Sequence, residues 1–287
     1  MTSMRYTAAL LALGVALLPI AAGAQCHPPA TSHEARLLAF YEAPIAFSMA
    51  GAPSRLAPGA VAVGGEAVPV PSPDAALQHP EFCYANTTNN TRLAPLFGRP
   101  RLALGLPASF TIEASYLPDV RVDDAEASIA SLAIARVQNV PYTGGRLISA
   151  LRVDGTTGSV RGAITCPRGS LQLTDPNVPC YGSEPSRDTF EPNSLGLEGA
   201  IGADLAAQRV AFYLGAGVRW LQPRFRAGFT DGFGNVDHTT VSVNLVRRVA
   251  FTGVTWHALG RVQLSAQLYA VPADVTTTRV TVQYAPR

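Results

Sequence analysis

The chain contains no lysine; all 22 of its fixed positive charges are arginines. That absence excludes Walker-type phosphate loops, Schiff-base cofactors and lysine nucleophiles. After the first two dozen residues there is no long apolar run either, so no later segment can cross a bilayer as a helix. If this chain spans a membrane it must do so as a closed barrel, because lipid leaves open backbone groups unsatisfied. Cys-x-x-Cys and His-x-x-x-His spacings are missing, as is a Gly-x-Ser-x-Gly elbow. The net charge of +2 gives no reason to propose nucleic acid as a partner. No cofactor, metal site or catalytic set is expected. The bias toward Arg, Ala, Gly and Pro reads as that of a GC-rich bacterial genome.

What is present begins with an export signal. Arg5 precedes an apolar run from Tyr6 to about Ala22, and Ala22-Gly23-Ala24 is a small-x-small cleavage site. The run is short for the roughly 20 residues of a span and is interrupted by Pro19. The reading divides the chain into a signal peptide (1–24), an N-terminal segment with a short helix and a possible plug role (25–56), and a β region (57–287). Gln25, immediately before Cys26, speaks against lipid attachment at that cysteine. All four cysteines lie beyond the cleavage site, in a compartment where disulfides persist, and an even count favours two bridges. Cys166 and Cys180 bracket a loop rich in Pro, Gly, Asp and Ser, whose closure is worth about 3 kcal/mol. Cys26 with Cys83 follows by elimination.

Thr31-Ser32-His33-Glu34 has capping-box spacing, and Leu37, Leu38, Phe40 and Tyr41 follow at helical intervals, so a helix is expected to about Ala43, stopped by Pro44. From Ala57 the chain reads as strands, near 59–70, 100–106, 109–117, 126–137, 145–164, 190–205, 208–223, 238–257, 261–271 and 276–285. The alternation is clearest in Val210, Phe212, Leu214, Ala216, Val218 and Trp220 against Arg209, Ala211, Tyr213, Gly215, Gly217 and Arg219. Connections alternate between short (Leu106-Pro107-Ala108, 138–144, 205–208, 258–260) and long (71–99, 118–125, 165–189, 224–237), with 272–275 the exception. Aromatics mark both ends of the proposed spans: Tyr116 and Trp220 on the long-loop side, Phe110, Phe212, Trp256 and Tyr284 on the short-turn side.

With these features the chain resembles bacterial outer-membrane β-barrel proteins of the small, monomeric kind, over roughly residues 57 to 287. The resemblance is architectural and carries no family-specific motif. It implies an all-β fold, an antiparallel up-and-down transmembrane barrel of about ten strands (8 to 12) preceded by a short helix, in the cell outer membrane with its lipid as partner. The chain departs from the usual ending: Val280, Val282 and Tyr284 alternate correctly, but Ala285-Pro286-Arg287 follow. The rival architecture is a soluble secreted sandwich acting as a binding module.

The inward parity collects Glu113, Arg152, Glu198, Asp204, Arg209, Arg219, Gln263, Gln267, Arg279 and Gln283, with Asp204 and Arg209 expected to pair across their turn. Such segregation is informative, since an Arg facing mid-bilayer lipid costs about 2–4 kcal/mol. One strand slips: Val241, Val243 and Leu245 set an outward parity that would put Arg247 in lipid, and a bulge near Arg247-Arg248 or a rim position is expected to resolve it. His27, His33, His79, His238 and His257 are scattered and read as solvated or rim residues. Asp123-Asp124-Ala125-Glu126 and Asp231 to Asp237 read as turns before they read as Ca²⁺ sites. Asn86-Thr87-Thr88 and Asn89-Asn90-Thr91 read as a polar loop. Ser242 with His238 is the nearest approach to a hydrolase pair and lacks supporting residues. The expected role is therefore non-enzymatic: a structural or interaction barrel with a lumen filled by side chains, acting through its loops on an extracellular partner. The alternative is a channel or transporter for a small solute with the helix as a hatch, since a Cys26–Cys83 bond requires the N-terminal segment to run through the lumen.

Overall fold

A computed structural model describes residues 25–83, 95–122, 125–205, 209–258 and 261–285. In chain order the elements are β1 (Gln25–Cys26), α1 (His33–Ile45), β2 (Val61–Pro69), β3 (Leu96–Gly105), β4 (Phe110–Val122), β5 (Ala125–Tyr142), β6 (Gly145–Gly162), β7 (Asp188–Glu191) and β8 (Ser194–Leu205). There follow β9 (Val210–Leu221), β10 (Arg224–Arg226), β11 (Phe229–Thr230), β12 (Val236–Asp237), β13 (Thr240–Ser242), β14 (Leu245–His257), β15 (Val262–Val271) and β16 (Val275–Tyr284). The wall runs β2-β3-β4-β5-β6-β8-β9-β14-β15-β16, every neighbour antiparallel. It closes where Val280 to Tyr284 pair with Ala67 to Val63. This is a ten-strand antiparallel barrel among the described residues, and closure removes the exposed edges of a sandwich.

Alternation along each strand builds two surfaces. Leu214 is 57% exposed and its neighbour Tyr213 only 2%. The same contrast runs around the wall, with Leu132, Leu151, Ile201, Leu268 and Val280 outside and Ala133, Arg152, Ala200, Gln267 and Arg279 inside. Tyr116, Trp220, Phe212, Trp256 and Tyr284 all stand on the outer surface. An apolar belt this continuous is foreign to a soluble surface and matches the lipid-facing band of a membrane barrel.

The slip expected in one strand has a different cause. Pairing of β14 with β9 is continuous from Leu245↔Leu221 to Trp256↔Val210, with no bulge. The segment 238–257 is two strands in two branches of one sheet: β14 belongs to the wall, and β13 belongs to the branch that leaves β6 above the barrel mouth. Val241, Val243 and Leu245 are buried in a protein core, not turned to lipid. Arg247 points inward to Asp274 at 2.6 Å, and the intervening Val246 stands outside. The register shift that does occur lies in β4, between Leu117 and Val120.

The helix also differs from expectation. Ser32, not Thr31, is its N-cap, with Oγ accepting from the Ala35 N–H at 3.1 Å. Pro44 lies inside the last turn instead of ending the helix, which continues to Ile45. A proline there costs one intrahelical bond, and the free carbonyls nearby are bonded from the barrel wall.

Candidate functional site

The most elaborate chemistry lies in the lumen, where residues 33–56 descend from the long-loop end toward the start of β2. Wall arginines grip the exposed carbonyls at the helix C-terminus. Arg279 donates to Ala43 O and Ala46 O, both at 2.7 Å, and Arg99 donates to Ile45 O and Ala46 O, both at 2.8 Å. Cations at the negative end of a helix are favoured by the backbone dipoles as well as by the individual bonds. Below the helix, Arg152 donates to Phe47 O at 2.5 Å, Arg101 to Ser48 O at 2.9 Å and Gln267 to Met49 O at 3.1 Å. The Phe47 ring, fully buried, lies 4.2–4.8 Å from the guanidinium carbons of Arg99, Arg101 and Arg152.

The same arginines are neutralised by wall carboxylates. Glu66 is enclosed by Arg99, Arg101 and Arg279; Glu113 accepts from Arg101 at 2.6 Å and Arg152 at 3.3 Å. Arg219 bridges Asp154 at 2.7 Å and Glu198 at 3.1 Å and also donates to the Tyr269 hydroxyl at 2.8 Å. Ser48 of the plug donates to Glu198 at 3.1 Å, and Thr255 accepts from the Ala52 N–H at 2.7 Å. At the short-turn end a hollow of about 60 Å³ lies beside Ala50, Glu113 and Gln283.

Of the expected inward residues, Glu113, Arg152, Glu198, Arg219 and Arg279 meet in this network. Asp204 is inward but pairs with Arg146 at 2.8 Å, and Arg209 is not part of the network. Arg209 is exposed in the turn with φ 55°, and Leu205↔Val210 is the last wall pair, so it does not share a face with Asp204. Sequence reasoning missed Glu66, Arg99, Arg101 and Asp154. The signal available was i, i+2 spacing: Arg99, Arg101 and Ala103 share a face, as do Arg152 and Asp154.

Glu42 is the odd member of the lumen. It sits on α1, is 1% exposed, and neither carboxylate oxygen has a hydrogen bond in good geometry; the Ser194 hydroxyl faces it in the same condition. Burial pushes its carboxyl up to about 7 against the pull of Ser194 and Arg219. Glu34, one face away, is the opposite case. Burial would raise it, but the N–H groups of Phe82, Cys83 and Glu81, at 2.6–2.9 Å, hold its carboxyl below the ordinary range.

Over the mouth lies a cap. The upper end of β6 pairs with β7, and β10, β13 and β1 follow, the last in parallel. Its inner row, Ala127-Val160-Phe190-Phe225-Val241-Cys26, packs on Ala35, Leu38 and Ala39 of the helix. Two disulfides pin it: Cys26–Cys83 at 2.08 Å joins the start of the plug to the 70–95 connection, and Cys166–Cys180 at 2.12 Å closes the loop between β6 and β7. Fully buried Asp188 ties that loop down, accepting from the N–H groups of Ile164, Thr165 and Gly228 and the hydroxyls of Thr165 and Ser186.

Ser242 meets His27 at 2.9 Å, not His238. His33 contacts Glu81 at 3.1 Å, and His257 lies 4.0 Å from Asp204. Asp231 folds its own turn, held below its usual range by the Asn235 amide and by backbone N–H groups. Among the described residues no group of three or more His, Cys, Asp or Glu is placed to hold a metal ion. Asp123-Asp124 and the Asn86 and Asn89 tripeptides lie outside the described residues.

Strand closure, the apolar belt and the filled lumen together define a plugged barrel of the outer-membrane type. No family model matches the sequence, and no curated protein matches it. Solved structures similar in fold include the attachment invasion locus protein Ail of Yersinia pestis, at 9% identity and TM-score 0.29, over 80% of this chain and 100% of that one. The copper transporter OprC aligns at 10% identity and TM-score 0.32, over 81% of this chain and 42% of its own. A loop-deletion form of OmpT from Vibrio cholerae aligns at 11% and 0.21, over 79% and 76%. At such scores the likenesses carry no argument; strand pairing defines the class.

Proposed function

We propose that this is an exported outer-membrane protein whose barrel is closed to solutes and whose role, structural or in interaction, is carried by the cap and loops outside the cell. In this reading residues 1–24 are cleaved, the short turns face the periplasm and the long loops face outward. The observation that carries it is the grip of wall arginines on the plug, beside which the hollow at the short-turn end measures about 60 Å³. The doubly bridged cap supplies the surface through which a partner would be met.

Fractionation with an unboiled gel tests the location, and conductance across planar bilayers tests closure. The expected results are a heat-modifiable band in the membrane fraction and no stable channel. Recovery without detergent, or steady conductance, overturns the proposal. A gated channel is the second reading, favoured by one observation: between the Cys26–Cys83 bridge and the chain's entry into β2, every side-chain attachment of the plug to the wall is non-covalent. It requires conductance to appear when the disulfide is reduced. The proposed role is non-enzymatic, and turnover in a hydrolase screen that is lost with Ser242→Ala would refute that part.

A further inference from the structure

Two hollows on the outer face of the same strands are aligned along the strand direction. The first lies in the apolar belt. Leu132, Gly155 and Leu195 are cross-strand neighbours, and the missing side chain of Gly155 between two exposed leucines opens an apolar groove of about 670 Å³. The second lies beyond the belt. Arg161 stands on the same face of β6 six residues farther up, and with Arg121, Arg168 and Arg187 it lines a hollow of about 650 Å³.

The three acids lining that upper hollow, Glu126, Glu184 and Asp188, leave its four arginines in excess by one charge. Asp188 is consumed by its own donors. Glu126 approaches Arg161 only to 3.8 Å and Glu184 approaches Arg187 only to 4.0 Å, all four side chains being exposed. Arg121 and Arg168 make no ion pair among the described residues. Six strand residues span about 20 Å, less the tilt of the barrel wall. That is the reach from the upper acyl chains of a bilayer to the phosphates of a lipid headgroup.

We propose that these hollows form one site for a phosphate-bearing glycolipid of the outer leaflet, with an acyl chain over Gly155 and its phosphates against Arg161, Arg168 and Arg187. Guanidinium forks match phosphate oxygens in pairs, and an apolar groove continuous with the belt takes a chain that is already in the membrane. A soluble polyanion would use the arginines and have no need of the groove. The site rests on the membrane reading given above.

The test uses the full mature chain in phosphatidylcholine nanodiscs, with native mass spectrometry reading retained lipid. The probes are diphosphoryl lipid A, its dephosphorylated form, and dextran sulfate as the soluble competitor. Diphosphoryl lipid A is expected to be retained and the dephosphorylated form lost. Both Arg161→Gln/Arg168→Gln and Gly155→Leu should weaken retention by about tenfold or more. The second substitution is sterically open, since a Cβ at Gly155 meets nothing nearer than Ser194 O at 3.7 Å. Undiminished retention in either variant overturns the proposal. So does displacement of the lipid by dextran sulfate together with insensitivity to Gly155→Leu, which would assign the arginines to a soluble polyanion. An unboiled gel of each variant reports the barrel separately: loss of the folded band, or a soluble protein, sinks the membrane reading itself and the lipid site with it.

Discussion

Glu66→Gln is the sharpest probe of how the plug is held. Glu66 is 4% exposed; its Oε1 accepts from Arg99 at 3.0 Å and Arg279 at 3.3 Å, and its Oε2 accepts from Arg99 at 3.3 Å and from Arg101. Glutamine keeps the shape and one acceptor but turns the other oxygen into a donor that confronts two guanidinium groups. Two charge-assisted bonds are lost, at about 1.5–3 kcal/mol each, and three buried arginines lose their shared counter-charge. Breaking a buried ion pair from one side costs about 3–5 kcal/mol, so the two routes to the magnitude agree. Glu66→Met, which removes every acceptor, should cost more. The assay is denaturant unfolding of the barrel in lipid vesicles, followed by the fluorescence of Trp220 and Trp256, the chain's two tryptophans, both on the outer face. Glu184→Gln, in a pair with both side chains exposed, is the control and should change nothing measurable. If Glu66→Gln lies within about 1 kcal/mol of the control, the arginines do not depend on this carboxylate and the electrostatic account of the plug is wrong.

Three further outcomes follow from the same geometry. Leu214→Arg on the outer belt should destabilise the barrel by about 2–4 kcal/mol in vesicles, and a neutral result would mean that this face meets water. Glu42, moved from 4.5 to about 7, binds its proton more tightly folded than unfolded, so the stability it contributes is fullest below pH 4.5, is lost as pH rises toward 7, and stays lost above. Unfolding at pH 5 and pH 8 should therefore differ by up to about 3 kcal/mol in the wild type and not in Glu42→Gln; equal slopes would refute the assignment. Asp188→Ala should leave the folded barrel band in place and speed tryptic cleavage at Arg168, because it orphans three backbone N–H groups under the cap; unchanged cleavage would deny Asp188 its role.

Much of the wall was legible because period-two alternation survives wherever neither face is interrupted, as in β8, β9, β15 and β16. The lumen was legible only in part. Glu66 follows Gly64 and Gly65, two positions with no side chain to declare a parity, and Arg99 precedes the strand that the pattern places from Pro100, whereas the strand begins at Leu96. Apolar alternation in Val241, Val243 and Leu245 predicts a lipid face, yet a lipid face and a protein core demand the same residues, and only the strand's partner distinguishes them. The Asp204–Arg209 pairing failed for a local reason: a residue with φ 55° in a turn no longer follows the strand's alternation. The plug's descent through the lumen followed from two cysteines at opposite ends of the expected topology.

The absence of lysine, which reads first as genome bias, takes on structural meaning in the lumen. Arg99, Arg101, Arg152 and Arg279 each bond a plug carbonyl and approach a wall carboxylate at the same time. A planar fork can divide its donors between two acceptors on different segments, whereas an ammonium group is a single point on a shorter reach. Arg279 shows the demand most clearly, since it spans Ala43 O, Ala46 O and Glu66 while lying 4.1 Å from the Tyr269 ring centroid. Arg279→Lys keeps the charge and should still cost about 1–3 kcal/mol in vesicle unfolding, while the same exchange at exposed Arg187 should be silent. If Lys is tolerated at both positions, charge alone seats the plug and the arginines of the lumen are, like those outside it, a matter of composition.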